Sequence, residues 1–377
     1  MRNVKRLLAL LCLVALLVTS LCACAQKPAD NGQNDNTAKT EQPAANNDSK
    51  AEDNKTDETP SGETVMVGSE GSITADEFGY EATPAKKYTI AVVVKSAAIP
   101  VWESHIVAAK KAGSELGVEI LDYSPSKADN VEEQKRILED LITTGVDAVI
   151  LAPANTEAVK GPVQELIDAG IPVIYDNTMG PSDVDYLTYV GVDNAEVGRM
   201  IAEEMASKIN YKGKVLVMEG VPGQATSDVR TQAAMEVFAS YPDITVESGV
   251  TSWQTDEGRK LAEDYITKWG DELKAIVAVG GNQAEGAVEA VKAAGMQDKV
   301  LVSGFDVQEP QYLAVANGDE VFTVSQGVYQ QAYLSVVAAI RALNGESVPR
   351  QINCPITIVN KDNLDSMDER PAALQNR

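Results

Sequence analysis

One histidine, His105, and four cysteines in 377 residues leave almost nothing with which to build a zinc or other transition-metal site. Basic residues are scarce as well: 32 Lys+Arg stand against 56 Asp+Glu, a formal net charge of -24. No Lys/Arg-rich run supplies the basic face that phosphate contacts need, so nucleic acid is excluded as a partner. Catalytic signatures are missing too. Gly281 and Gly286 have phosphate-loop spacing, but Ala287-Val288 follow where Lys and Ser/Thr are required. No Gly-x-Ser-x-Gly elbow occurs, and a single histidine without a partner nucleophile makes a triad implausible. Acids abound, yet nothing pairs two of them as a glycosidase would. The chain is therefore expected to need no cofactor and no metal and not to be an enzyme.

What is present describes an exported globular protein. Arg2, Lys5 and Arg6 precede an apolar run over residues 7–17, which closes on Leu21-Cys22-Ala23-Cys24. That is the layout of a secretory signal peptide, and the run is shorter than the ~20 residues a membrane-spanning helix requires. From residue 25 to 64 the only apolar side chains are alanines, so the segment has nothing to bury in exchange for its ordering entropy. Residues 25–87 are expected to be a disordered polar tether and lead-in. Beyond them, hydrophobic residues at 44% and charged residues at 23% of the whole chain support a real core.

From Tyr88 onward short β-branched runs alternate with stretches that repeat apolar residues at i, i+3 and i+4. Strands are expected at 88–94, 118–122, 148–151, 172–175 and 187–190, with helices at 103–116, 131–144, 157–169 and 195–209. The alternation then restarts, with strands at 214–218, 244–249, 275–279, 300–304 and 321–324 and helices at 227–239, 257–269, 284–293 and 327–343. Near-continuous Val/Ile/Leu strands joined through helices mean parallel sheets covered on both faces. Two α/β lobes of about five strands each fit the length.

In open parallel sheets, ligands gather beyond the carboxyl ends of the strands, at the switch point of the winding order. The residues there are Lys95 and Trp102 after the first strand, Asn155 after the third, and Asp176 and Asn177 after the fourth. In the second half they are Arg230, then Trp253, then Gly280-Gly281-Asn282, then Phe305-Asp306, and finally Gln326. Indole rings stack on the C–H faces of a sugar, while Asp, Asn, Gln and Arg satisfy hydroxyls that both donate and accept. His105 has Ile106 and Val107 as helical neighbours and is expected on the helix surface or half-buried, beyond the ligand's reach. Arg230 has a duller alternative, an ion pair with Asp228.

In order along the chain, Ile90-Ala91-Val92-Val93-Val94-Lys95 with Pro100-Val101-Trp102, Tyr123-Ser124-Pro125-Ser126, Gly170-Ile171-Pro172-Val173-Ile174, Gly191-Val192-Asp193-Asn194, Glu219-Gly220-Val221-Pro222-Gly223, Gly304-Phe305-Asp306 and Val324-Ser325-Gln326 resemble the type I periplasmic sugar-binding proteins. The likeness is to the ribose- and allose-binding branch, which serves ABC importers. It implies two doubly wound, Rossmann-like lobes joined by a three-strand hinge, with crossings near Val192, Gln326 and Cys354. By it the first lobe is 88–192 plus 327–356, the second 193–326 plus 357–363, and 364–377 a tail. Trp102 and Trp253 would sandwich a sugar ring, Asp176, Arg230, Asp306 and Gln326 would bind its hydroxyls, and Lys95 matches a lysine of the allose-like members. Asn177 stands where ribose binders have Arg, and Gly280-Gly281-Asn282 replaces their Asn-Asp, which points away from ribose toward a different or larger polyol.

The end of the signal segment similarly resembles a bacterial lipobox, with Cys24 as the lipidated N-terminus and Cys22 or a plain secretory signal as alternatives. The resemblance implies a monomer, anchored to the membrane by lipid at the outer face of the cytoplasmic membrane or in the periplasm, with an ABC transporter permease as partner. A sensor that presents its ligand-bound form to a chemoreceptor or kinase is the alternative. If Cys12 and Cys22 leave with the signal and Cys24 is acylated, Cys354 is alone and no intrachain disulfide forms.

Overall fold

A run such as Thr-Ile-Ala-Val-Val is apolar on both pleat faces, so it folds only where both faces are covered, and four of its five residues are buried. The computed structural model describes residues 66–367; the signal segment, Cys24, the tether to residue 65 and the end of the tail lie outside them. Strand β1 (Ser69–Thr74) and helix α1 (Ala75–Phe78) come first. Then β2 (Thr89–Val93), α2 (Pro100–Leu116), β3 (Glu119–Tyr123), α3 (Val131–Thr144), β4 (Ala148–Leu151), α4 (Lys160–Asp168), β5 (Val173–Asp176) and β6 (Thr188–Gly191) alternate. The second series is α5 (Asn194–Lys208), β7 (Gly213–Glu219), α6 (Ala225–Ala239), β8 (Ile244–Val250), α7 (Thr255–Trp269), β9 (Leu273–Ala278), α8 (Gly281–Ala293), β10 (Leu301–Ser303), α9 (Glu309–Asn317) and β11 (Thr323–Ser325). Helix α10 (Val328–Leu343) and β12 (Pro349–Asn353) return to the first lobe, and β13 (Thr357–Val359) goes back to the second.

Local chemistry sets the ends of these elements. Pro100 opens α2, where a missing N–H costs nothing, and Gly117 closes it with φ 82. Asp193 caps α5 by accepting from the backbone of Ala195 and Glu196. Helix α10 is buried almost all round and packs on α2 and on the sheet face of β4, β5 and β6.

The first sheet runs β1-β12-β6-β5-β4-β2-β3 and is parallel throughout. The second runs β10-β9-β7-β8, also parallel, and the antiparallel pair β11 and β13 joins it through a bridge from Phe322 to Ser303. Both lobes therefore share one winding, with switch points between β2 and β4 and between β7 and β9. At the crossings, the Cys354 amide donates to the Gly191 carbonyl oxygen at 2.7 Å, which ties two of the three passages side by side.

Two expectations need correction. The first sheet has seven strands rather than about five, because β1 and β12 extend it beyond β6. Residues 69–78 also fall within the stretch 25–87 read as tether and lead-in, yet they form β1 and α1 and belong to the first lobe. The cause is visible in the side chains: Phe78 and Tyr80 are buried, the Arg341 guanidinium stacks 4.3 Å from the Phe78 ring centre, and Arg341 Nη1 donates to the Phe78 carbonyl oxygen at 2.8 Å.

Candidate functional site

The loops after β2, β5, β7, β8, β9 and β10 meet at a cleft of about 540 Å³ between the lobes. Eight of the residues expected from the sequence line it: Lys95, Trp102, Asn177, Arg230, Trp253, Asn282, Asp306 and Gln326; Asn155 does not, and its Oδ1 accepts instead from the Glu157 and Ala158 amides. Asp176 ends β5 and lies just behind the wall, 1% exposed.

Backbone strain concentrates here. Asn177 (φ 60), Trp253 (φ 60) and Asp306 (φ 67) all hold left-handed backbone without being glycine. Such conformations persist only where the surroundings over-determine them, and they gather at ligand sites. For Trp253 the surroundings are two glycines. A Cβ placed on Gly280 would stand 2.6 Å from the indole, and one on Gly220 would also meet the ring. Gly280 is thus glycine because the indole occupies the space a side chain would need.

The charged groups are buried and individually held. Lys95 is 3% exposed; its Nζ donates to Gln224 Oε1 at 2.8 Å and lies 5.3 Å from the Trp102 ring centre. Burial lowers its pKa to about 7, with Asp129 pulling it up and Arg230 pushing it further down. Arg230 Nε and Nη2 donate to Asn194 Oδ1 at 3.2 and 2.6 Å, and Nη1 donates to the Val279 carbonyl oxygen at 2.6 Å. Its guanidinium sits 3.9 Å from the centre of the Phe305 ring, and burial brings its pKa down to about 10. Arg230 does not pair with Asp228, whose carboxylate accepts from the Gly223 amide at 2.9 Å. Burial raises the Asp306 pKa against the opposing pull of Gln326, Arg230 and His105.

A hydrogen-bonded chain crosses between the lobes beside the hinge. Asn177 Nδ2 donates to Gln326 Oε1 at 3.1 Å, and Gln326 Nε2 donates to Asp306 Oδ1 at 2.7 Å. At the other side of the cleft, Asn282 Nδ2 donates to the Trp253 carbonyl oxygen at 3.3 Å.

Two residues take places in the structure that the sequence reading does not give them. Gln224 is fully buried and joins the lobes. Its Oε1 accepts from Lys95 and from Trp253 Nε1 at 2.9 Å, while its Nε2 donates to Asp129 Oδ1 at 2.6 Å and to the Ala154 carbonyl oxygen at 3.0 Å. The strand-end rule that finds Arg230 covers Gln224 as well, since it closes the loop after β7. The second is His105, which does not line the cleft but is expected from the sequence on the helix surface or half-buried. It is instead wholly buried, with its ring 5.0 Å from that of Trp102 and Nε2 3.4 Å from Asp176 Oδ2. The helical period explains the correction: three positions separate Trp102 and His105, which puts both on the inward face of α2, while Val107 is 58% exposed on the outward one.

Residues 90–347 match the family described as periplasmic binding protein domain. A putative rhizopine-binding protein of Rhizobium meliloti is 30% identical over 62% of this chain and 78% of its own. A D-ribose/D-allose-binding protein of Pseudomonas aeruginosa is 28% identical over 74% of this chain and 90% of its own. Among solved structures, an ABC transporter periplasmic solute-binding protein from Actinobacillus succinogenes with bound D-allose superposes with a TM-score of 0.71, at 28% identity over 74% of this chain and all of that one. These relatives are binding proteins and not enzymes. With the match covering well over half of its length and the same two-lobed architecture, the chain belongs to the periplasmic binding protein domain family, in the type I form.

Proposed function

We propose that the protein captures a monosaccharide-like ligand between its two lobes, as a monomer, and delivers it unchanged to an ABC importer. The observation that carries this reading is the cleft itself: two indoles and buried donors and acceptors from both lobes line it, the mixed lining of a small polar ligand's site. The sugars named for the relatives agree with it. Gly280 favours a ligand other than ribose, because the position has no side chain to donate or accept. A lipid on Cys24 would hold the protein at the outer face of the cytoplasmic membrane or in the periplasm, which the lipobox-like run Leu21-Cys22-Ala23-Cys24 supports.

A thermal-shift screen over pentoses, hexoses, deoxysugars and inositols tests the ligand class. At least one should raise the melting temperature increasingly with its concentration and be recovered chemically unchanged. No shift from any of them, or turnover of one, would sink the reading. For the anchor, Cys24→Ala should move the protein from the membrane fraction to the soluble one, and unchanged partitioning would refute it.

A further inference from the structure

Both ring nitrogens of His105 face oxygen. Nδ1 lies 3.2 Å from the Val101 carbonyl oxygen, and Nε2 lies 3.4 Å from Asp176 Oδ2, within ion-pair distance though long for a hydrogen bond. A carbonyl only accepts, so Nδ1 carries a hydrogen. A neutral ring would then turn the bare lone pair of Nε2 toward a carboxylate, two acceptors face to face where both side chains are at most 2% exposed. One additional proton resolves the conflict.

The neighbouring groups put that proton on the ring. Burial by itself favours neutral imidazole, but the Asp176 charge, the Val101 carbonyl and the Asp306 charge outweigh it and hold the His105 pKa above its ordinary value. On the Asp176 side the titratable groups are Tyr189 and Cys354, both kept neutral by burial. Lys95 faces the Trp102 ring, and Arg230 offsets Asp306. Among the described residues no cation other than His105 lies within ion-pair distance of Asp176, whose Oδ1 is buried without a hydrogen-bond partner. A buried charged acceptor of that kind marks a place where a donor is expected.

We propose that His105 is a positioning residue of the ligand site: as an imidazolium it holds Asp176 Oδ2 and so fixes the end of β5 directly before Asn177, which lines the cleft. The proposal rests on the sugar-binding reading, and it goes further by making affinity depend on one ring proton. Ligand should bind tightest while His105 is protonated and weaken as pH rises through the His105 midpoint. By linkage, a bound sugar should then raise that midpoint.

Because the chain has one histidine, ¹⁵N-histidine NMR reads it without ambiguity. In the sugar-free protein both ring nitrogens should remain protonated above about pH 6.5, where free histidine is already losing its proton. Asp176→Asn should lower the midpoint by about one unit or more. A neutral ring at pH 6.5, or a midpoint that Asp176→Asn leaves in place, would overturn the pairing. The coupling to ligand is read by calorimetry with D-allose as probe between pH 6 and 9. The parent should lose affinity across the His105 midpoint, His105→Gln should lack that step and keep only the dependence contributed by Lys95, whose pKa is about 7, and His105→Leu should bind weakly throughout. A His105→Gln profile that matches the parent's, or His105→Leu binding like the parent, would overturn the positioning role. The NMR titration is made without sugar, so a protein that ignores D-allose refutes the ligand while the state of the His105–Asp176 pair is still decided by its own titration.

Discussion

Arg230 commits three of its five donors to Asn194 and the Val279 carbonyl, and its face to Phe305, which fixes the plane of the guanidinium before any ligand arrives. Asp306 is fixed in the same manner by Gln326 through one oxygen. Each is a charge already desolvated and oriented, so truncation removes a charge-assisted hydrogen bond to a ligand hydroxyl at no compensating gain in freedom. Arg230→Ala and Asp306→Ala should each weaken binding by about 1.5 to 3 kcal/mol, measured calorimetrically on variants whose circular dichroism matches the parent. Affinities equal to the parent's would mean that the cleft is not the binding site. These two are legible in the sequence because they follow strands whose ends are sharply marked. His105 is not, because its apolar neighbours Ile106 and Val107 say nothing about which way α2 is rotated. Only the position of Trp102 one turn earlier carries that information.

At the scale of elements, the strands that read clearly are those buried on both faces. β2, β4, β5 and β6 are apolar runs with no polar residue facing out until their ends, and the structure places them where the alternation predicts. The strands that escape the pattern are the polar ones at one edge of the sheet. Pro349–Asn353 has a single fully buried residue, and Ser69–Thr74 has none, so neither shows the pattern by which strands are recognised. Their pairing is tertiary: β12 is held by β6 on one side, and β1 by β12. The matching order of strands in the two lobes, by contrast, follows from the restart of the alternation after residue 212. That restart is why the cleft can be sought at two switch points facing each other.

For the whole molecule, the lobes are joined by three crossings and also by contacts at the cleft rim that a hinge opening would have to break. Lys95 reaches Gln224, Thr156 donates its amide to the Gly223 carbonyl oxygen at 2.9 Å, and Ser104 Oγ donates to Gln308 Oε1 at 3.1 Å. These contacts hold the two lobes together across the cleft rim. They are few and polar, each worth about 0.5 to 1.5 kcal/mol net, so under the proposed function the ligand's simultaneous contacts with both lobes would tip the balance toward closure. The glutamine at the centre, Gln326, lies on a crossing and links Asn177 of one lobe to Asp306 of the other. Small-angle scattering of the protein, alone and saturated with the sugar that gives the largest thermal shift, tests that closure directly: the radius of gyration should fall on binding, and an unchanged radius at saturation would contradict it.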